Sequence, residues 1–221
     1  MKVIFFDLDG TLIDSELYWR QVGLRLLCSK NVLMPQEILE KQDIYSFRTT
    51  IMDFLKRPGY PEAVGMTYEE CEQWCFDNMA LLYRTVIPLK LHAAELVRYV
   101  RQRGWKTAIV TATKTTDAAA VLKRFGLEDC FDLIHSTFGQ EEKKSSPALF
   151  HRLAAQLGAT AGECMLVDDS RYALQGAKDA GCQAWAIADF VHRVKEERIR
   201  QTAHRYFETL ADLEAALHEI I

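Results

Sequence analysis

The sequence predicts an α/β protein in which a doubly wound, mostly parallel sheet is interrupted by an inserted all-helical domain. From Lys106 onward, short apolar runs alternate with amphipathic helical patterns, which is typical of parallel strands connected by helices. In the segment 15–87 the apolar residues recur with a helical period, and no strand pattern is present. We therefore predict that residues 15–87 form a helical domain and that residues 1–14 and 88–221 form the core domain.

The first predicted strand is the apolar run of residues 3–6, which leads directly into Asp7, with Asp9 two residues later. A short apolar run that ends in a turn signal, here Gly10 followed by Thr11, is typical of a strand buried on both faces. Both carboxylates are therefore expected at the carboxyl end of the strand. In open α/β sheets this is the edge where ligands bind.

Two carboxylates at that edge suit two kinds of chemistry. A carboxylate and a nearby backbone carbonyl oxygen are hard ligands of the kind that Mg²⁺ prefers. An Asp can also attack a phosphoryl group and form an aspartyl phosphate, while a second carboxyl group transfers protons. Asp and Gly are ordinary turn residues as well, so a solvated turn is the alternative. The apolar run before Asp7 and the threonine after Gly10 favour a functional site.

Four helical patterns are predicted within the helical domain. The first is preceded by Ser15 as a capping residue, the second begins at Pro35, the third surrounds Phe54, and the fourth begins at Thr67.

Strands and helices alternate in the remainder of the chain. The further strands are predicted at residues 107–110, 131–135, 164–167 and 184–187, with a short edge strand at 205–207. The helices are predicted to begin at Pro88, at Asp117, at Pro147, after Asp169 and near Leu210. Right-handed crossovers bring the carboxyl ends of parallel strands to the same edge of the sheet. Asp7, Thr111 and the pair Asp168-Asp169 are therefore expected to lie close together.

Three further polar positions follow apolar strands or precede a helix. The hydroxyl group of Thr111 and the free amides of the next helix would suit a phosphate oxygen. Lys144, just before a helix, would neutralise a phosphate and a carboxylate nucleophile. Asp168 and Asp169 repel each other unless a cation or hydrogen-bond donors offset their charge. Taken singly, each position has an ordinary alternative: a helix-capping threonine, a solvated basic loop or a polar turn.

The segment Asp7-Leu8-Asp9-Gly10-Thr11-Leu12 resembles the first motif of the haloacid dehalogenase-like (HAD) hydrolases, in the phosphatase and β-phosphoglucomutase-like branch that carries a small helical cap. Thr111, Lys144 and Asp168-Asp169 match the other three motifs of the family in the same order. The resemblance implies a Rossmann-like core, with Asp7 as the nucleophile and Asp9 as the general acid/base.

The same resemblance implies residues that bind Mg²⁺ and phosphate. Asp7, the backbone carbonyl of Asp9 and Asp169 would bind the Mg²⁺ ion. Asp168 would act through a bound water or next to the direct ligands. The implied phosphate-binding residues are Thr111, Ala112 and Lys144.

Two positions depart from the family pattern. Ala112 stands where the family usually has Asn or Gly, so the polar contact of that neighbour is missing. Ser145 replaces the first Pro of the family's Lys-Pro-x-Pro, and this register favours Lys144 over Lys143 as the cation of the site.

Three residues of the helical domain are candidates for contact with the substrate. Arg48 falls near the position where related caps carry a basic residue that contacts the substrate. Glu16 and Trp19 would line the entrance to the site. A surface arginine and a tryptophan packed in the core are the ordinary alternatives.

The composition excludes several classes of protein. Hydrophobic residues make up 49% of the chain and charged residues 26%, which suits a packed core. The net charge of −4 gives no basic surface for nucleic acid, and no apolar run is long enough for a membrane span. The chain has six cysteines without a Cys-x-x-Cys pair and shows no signal-peptide pattern, so we expect a cytoplasmic protein.

We therefore predict an Mg²⁺-dependent phosphatase that hydrolyses a small phosphorylated metabolite through an aspartyl phosphate, as a monomer or a weak dimer. A phosphomutase of the β-phosphoglucomutase type would use the same residues and is the nearest alternative. A haloacid dehalogenase is disfavoured because those relatives lack the acid corresponding to Asp9 and use no metal. A non-catalytic binding protein of this fold is the alternative from a different class.

Overall fold

The structure is a computed structural model that describes residues 2–33, 54–59, 63–190 and 196–220. Its chain divides into two compact units. One unit combines Met1–Asp14 with Pro88–Ile221, and the other is Ser15–Ile87. No helix in the described ranges combines the length and the apolar composition that a membrane crossing would need.

The first unit is built on a six-stranded, all-parallel sheet in the described part of the chain, with the order β3-β2-β1-β4-β5-β6. The strands are β1 (Val3–Phe6), β2 (Lys106–Thr111), β3 (Leu133–Ser136), β4 (Cys164–Asp168), β5 (Gln183–Ile187) and β6 (Arg205–Phe207). The predicted α/β class and the short edge strand are confirmed.

The strand order reverses at β1, which lies between β2 and β4. Val3 is paired with Lys106 on one side and with Cys164 on the other. All four residues of β1 are buried. Helices cover both faces of a parallel sheet of this kind, so its central strand consists of apolar residues. Such a reversal point is where the carboxyl ends of the strands leave a crevice for a ligand.

Helices follow most strands and cover the sheet. The described helices are α1 (Glu16–Ser29), α2 (Tyr68–Thr85), α3 (Ala93–Gln102), α4 (Thr115–Phe125), α5 (Pro147–Gln156), α6 (Arg171–Asp179), α7 (Glu196–Thr202) and α8 (Leu210–Leu217). Pro147 occupies the first turn of α5, where a missing backbone N–H costs nothing. The ring of Phe150 in this helix lies 5.9 Å from that of Phe5 in β1, so α5 packs directly on the central strand.

The helix after the second unit begins at Ala93, so the prediction that it begins at Pro88 is wrong. Leu89 forms an antiparallel bridge with Ile13, and the amide of Lys90 donates to the carbonyl of Leu12 at 2.8 Å. These bonds hold residues 89–90 in an extended conformation, so the helix can begin only after them. Smaller differences are that α4 begins two residues early and β3 ends one residue late.

The second unit contains α1 and α2. Trp19 Nε1 donates to the hydroxyl of Tyr83 at 3.1 Å, and its ring packs edge-on against Phe76. Thr67 caps α2 as predicted, since its side chain accepts from the amide of Glu70. Ser15 precedes α1, but its side chain makes no capping bond, contrary to the prediction. The helical pattern at Pro35 lies outside the described residues.

The packing of α5 on the sheet leads to a stability prediction. Leu153 is fully buried among residues of β1, β2 and β4, so Leu153→Ala would leave a cavity there. We expect the free energy of unfolding to fall by about 2–5 kcal/mol, measured by urea denaturation. Leu91→Ala is the matched control, because Leu91 is 93% exposed, and its effect should stay within about 0.5 kcal/mol. Equal losses in the two variants would contradict the packing.

Candidate active site

Three carboxylates converge at the carboxyl ends of β1 and β4. Asp7 follows β1 directly, Asp168 ends β4, and Asp169 comes next. The parallel pairing of Phe6 with Val167 sets Asp7 beside Asp168. One oxygen of each carboxylate lies within 4.8 Å of the others, and all three residues are buried.

Lys144 lies among these acids. Its Nζ is 2.8 Å from Asp7 Oδ2 and 2.8 Å from Asp168 Oδ2, and the residue is 1% exposed. Lys143 lies on the surface, where its ammonium group donates to the carbonyl of Gln140. Of the two lysines weighed from the sequence, the structure therefore brings Lys144 to the acids and leaves Lys143 away from them.

The charges of this cluster do not balance. Among these four described side chains, three carboxylates and one ammonium give a net charge of −2 when all are ionised. Burial raises the pKa of Asp7 well above its usual value, and the charges of Asp168 and Asp169 add to the rise while Lys144 opposes it. Burial likewise raises the pKa of Asp168. A divalent cation with oxygen ligands would offset this excess, so the residues fit a Mg²⁺ site.

Burial acts to lower the pKa of the Lys144 ammonium, as it does for any buried cation. The neighbouring charges of Asp168 and Asp7 outweigh that effect, so the pKa lies well above its usual value. Lys144 therefore stays charged at neutral pH.

The two neighbouring acids of β4 have different partners. Asp168 accepts from Lys144 through Oδ2, and through Oδ1 from the amide and the hydroxyl of Ser170 at 2.7 and 2.5 Å. Asp169 Oδ1 accepts from the hydroxyl of Thr11 at 3.1 Å. The bonds of Asp168 engage both of its oxygens, so it acts as an anchor for Lys144.

Thr111 and Thr113, at the end of β2, place two hydroxyl groups near Asp9. Thr111 Oγ1 accepts from the amide of Thr113 at 3.0 Å, and its own hydrogen remains available for donation. Thr113 Oγ1 donates to Asp9 Oδ2 at 2.6 Å, and its carbonyl accepts from Ser136 Oγ. Ala112 lies between the two threonines. The sequence reasoning missed Thr113, although a second hydroxyl residue two positions after a candidate phosphate ligand was a signal that could have found it.

Two glycines allow the elements of the site to approach one another. A Cβ on Gly10, whose φ is +71°, would lie 2.5 Å from Asp169 Oδ2. A Cβ on Gly176 of α6 would collide with the carbonyl oxygen of Lys144 and lie 2.8 Å from the carbonyl carbon of Ser145. Neither pairing could be derived from the sequence, because each joins segments distant in the chain.

Of the three candidates from the helical domain, the structure describes Trp19 and Glu16. Arg48 lies outside the described residues. Trp19 is 4% exposed, and its bond to Tyr83 and contact with Phe76 indicate packing inside the second unit. Glu16 is buried in the first turn of α1.

The chain is similar to several known proteins. A family model described as haloacid dehalogenase-like hydrolase matches residues 1–181. Pyrophosphatase PpaX of Halalkalibacterium halodurans is 28% identical over 203 residues, which cover 91% of this chain and 89% of that protein. The phosphoglycolate phosphatase of Pectobacterium atrosepticum is 34% identical over 184 residues, covering 83% of this chain and 79% of that protein.

The same fold occurs among solved structures. The crystal structure of a predicted phosphoglycolate phosphatase from Haemophilus somnus 129PT superimposes with a TM-score of 0.80 and covers 98% of both chains at 20% identity. At that identity the likeness supports the fold alone.

The contact between Gly10 and Asp169 leads to a prediction about cation binding. Gly10→Ala should push the Asp169 carboxylate away from Asp7 and weaken Mg²⁺ binding at least about tenfold, measured by calorimetric titration. Gly158→Ala is the control, because Gly158 has a similar φ of +73° with open space around it. Both variants carry the strain of a left-handed residue, about 1–2 kcal/mol, so only the clash separates them. Equal Mg²⁺ affinities would show that Asp169 does not bind the ion.

The burial of Lys144 leads to a prediction about stability. Lys144→Met would leave Asp7 and Asp168 buried without their cation, and we expect a loss of about 3–5 kcal/mol in urea denaturation. Lys143→Met should change the stability by no more than about 0.5 kcal/mol, since Lys143 is exposed.

This loss should also depend on pH. A carboxyl group whose pKa is raised in the folded state binds its proton more tightly there, so stability falls as the pH rises above about 4. Lys144→Met removes the group that opposes the rise, so the loss should be larger at pH 8 than at pH 5. A loss that shrinks with rising pH would contradict the assignment.

Proposed function

This chain belongs to the haloacid dehalogenase-like hydrolase family, and from that premise we propose that it is an Mg²⁺-dependent phosphatase of small phosphorylated metabolites that works through an aspartyl phosphate on Asp7. Its relatives are named phosphatases, so the chain is an enzyme of the phosphatase type. The observation that carries the finer proposal is the position of Asp7, held by Lys144 at 2.8 Å among two further buried acids.

Asp7 is the proposed nucleophile because its carboxylate is fixed in orientation and poorly neutralised. Its Oδ1 accepts from the amide of Leu8 at 2.7 Å, and its Oδ2 accepts from Lys144. Burial and the neighbouring acids disfavour its charge, as its raised pKa records. A carboxylate in this state has lost much of the hydration that would have to be removed before attack on phosphorus.

The proposed ligands of Mg²⁺ are Asp7, Asp169 and the backbone carbonyl of Asp9. Asp168 would not bind the ion directly but would lie next to the direct ligands or act through a bound water, since its oxygens already accept from Lys144 and Ser170. When bound, the ion reduces the repulsion between the carboxylates and the phosphate group.

The reaction then divides between two carboxyl groups. Asp7 attacks phosphorus, the bond between phosphorus and the leaving oxygen breaks, and Asp9 gives its proton to that oxygen. Asp9 next takes a proton from the water that attacks the aspartyl phosphate, which releases phosphate and restores Asp7. The bond from Thr113 to Asp9 Oδ2 supports this role, because it holds the carboxyl group in one orientation.

Three groups are proposed to bind the phosphoryl oxygens. Lys144 supplies a buried positive charge, Thr111 a hydroxyl hydrogen, and Ala112 its backbone amide. These donors come from two separate segments that meet at the same edge of the sheet. We also propose that the unit Ser15–Ile87 selects the substrate as a cap, with Arg48 as a contact residue.

The nucleophile is tested by Asp7→Asn. We expect turnover of p-nitrophenyl phosphate to fall at least about a thousandfold, because the amide cannot form the aspartyl phosphate. Stability should be kept or should rise, because a neutral group replaces a carboxylate whose charge is disfavoured by burial and by Asp168 and Asp169. Asp129→Asn, on an exposed residue, should leave both quantities unchanged. A near-normal rate in Asp7→Asn would reject Asp7 as the nucleophile.

The metal and the reaction class are tested together. EDTA should abolish the release of phosphate from a panel of phosphate esters, and added Mg²⁺ should restore it. Turnover that persists in EDTA would count against the metal site. Conversion of β-glucose 1-phosphate to another hexose phosphate without release of phosphate would identify a phosphomutase, and a protein inert toward the whole panel would identify a non-catalytic binder.

A further inference from the structure

Tyr172 lies at the proposed active site but has no part in the chemistry assigned above. It is the second residue of α6 and comes three residues after Asp169. The centre of its ring is 5.8 Å from Lys144 Nζ, which in turn is 2.8 Å from Asp7. The tyrosine therefore stands one side chain away from the proposed nucleophile.

The exposure of this residue sets it apart from the aromatic residues of the central strand. Tyr172 is 48% exposed, whereas Phe5 and Phe6 of β1 are fully buried. A half-exposed tyrosine is ordinary on a protein surface, but this one lies beside the buried ammonium of the proposed site. About half of the residue is exposed, so part of its surface is accessible to a ligand next to Lys144.

The charged groups of the site all act on the phenol of Tyr172. Loss of hydration is the largest cause that raises the pKa of Tyr172 to about 12; Lys144 opposes the rise, and Asp168, Asp7 and Asp169 add to it. The phenol is therefore neutral at ordinary pH. Within the described ranges its oxygen makes no hydrogen bond to the protein, so the hydroxyl group is left for water or a ligand.

We propose that Tyr172 is a substrate-contacting residue whose ring packs against the carbon-bound part of the phosphate ester, next to the phosphate held by Lys144. This inference rests on the proposed function, and it adds the substrate class: an organic ester whose leaving group offers a neutral C–H or aromatic surface. The face of an aromatic ring carries partial negative charge, and the charges of Asp7, Asp168 and Asp169 also act at this position, so an anionic leaving group such as a second phosphate is disfavoured.

A purely structural role is the alternative, in which Tyr172 only shields Lys144 from water. The two roles differ in what they change. A shield affects every ligand that depends on Lys144, including inorganic phosphate. A contact with the carbon-bound part affects only ligands that possess one.

The test therefore compares p-nitrophenyl phosphate as substrate with inorganic phosphate as competitive inhibitor. For Tyr172→Ala we expect the KM of p-nitrophenyl phosphate to rise about tenfold, while kcat and the Ki of inorganic phosphate stay within about twofold. Tyr172→Phe keeps the ring and should keep the KM within about twofold. A parallel rise of KM and Ki, or no change in either, would overturn the inference.

Tyr99→Ala is the matched control. Tyr99 is a half-buried tyrosine of α3 with the Arg103 guanidinium 5.1 Å from its ring centre, so it resembles Tyr172 in its cation contact but lies on a helix outside the strand ends. It should leave KM and Ki unchanged. An active wild type and an inactive Asp7→Asn establish the proposed function whatever Tyr172 does, and a wild type inert toward every ester would overturn both proposals.

Discussion

The burial of three carboxylates beside one ammonium at the ends of β1 and β4 is the constraint on which the rest of the site depends. Asp7, Asp168 and Asp169 are each no more than 5% exposed, so water does little to screen their mutual repulsion. Such a cluster would push its own elements apart if it lay on mobile loops. It is held because β1 and β4 are buried, paired strands whose packing does not depend on these charges.

The same imbalance gives the site its proposed chemistry. A phosphate dianion approaching three clustered carboxylates and one ammonium would be repelled, so phosphate and a divalent cation are expected to bind together rather than independently. Lys144 cannot replace the cation, because its ammonium is already shared between Asp7 and Asp168. The repulsion between the carboxylates therefore lowers the stability of the free protein, and a bound cation would relieve that repulsion.

The sequence indicated the fold and much of the acidic cluster for a simple reason. A strand buried on both faces is a continuous apolar run, and a parallel sheet aligns the ends of such runs, so Asp7 and Asp168 were brought together by strand ends alone. Lys144 required the resemblance to a family, because a lysine in a charged loop carries no local signal of burial. Tyr172 gave no signal, and the small-residue pattern around Gly176 indicated only a helix packed on the sheet, since both roles depend on how α6 lies against the Lys144 segment. The start of α3 was wrong because pairing of residues 89–90 with the chain after Asp9 overrides the helical preference that follows Pro88.

The contacts of the neighbouring Thr113 explain how Ala112 can stand where the family usually has Asn or Gly. Ala112 has no polar side chain, and the sequence alone therefore suggests that one contact of the site is lost. Thr113 supplies a hydroxyl group one position later, and this group bonds to Asp9 rather than to the solvent. Its carbonyl is fixed by Ser136 of β3, so the end of β2 is braced from both sides, by the strand next to it and by the proposed acid. Because residues 111 and 113 hold the loop in this way, position 112 needs only its backbone amide to face a phosphate oxygen, and an alanine side chain there is compatible with the proposed reaction.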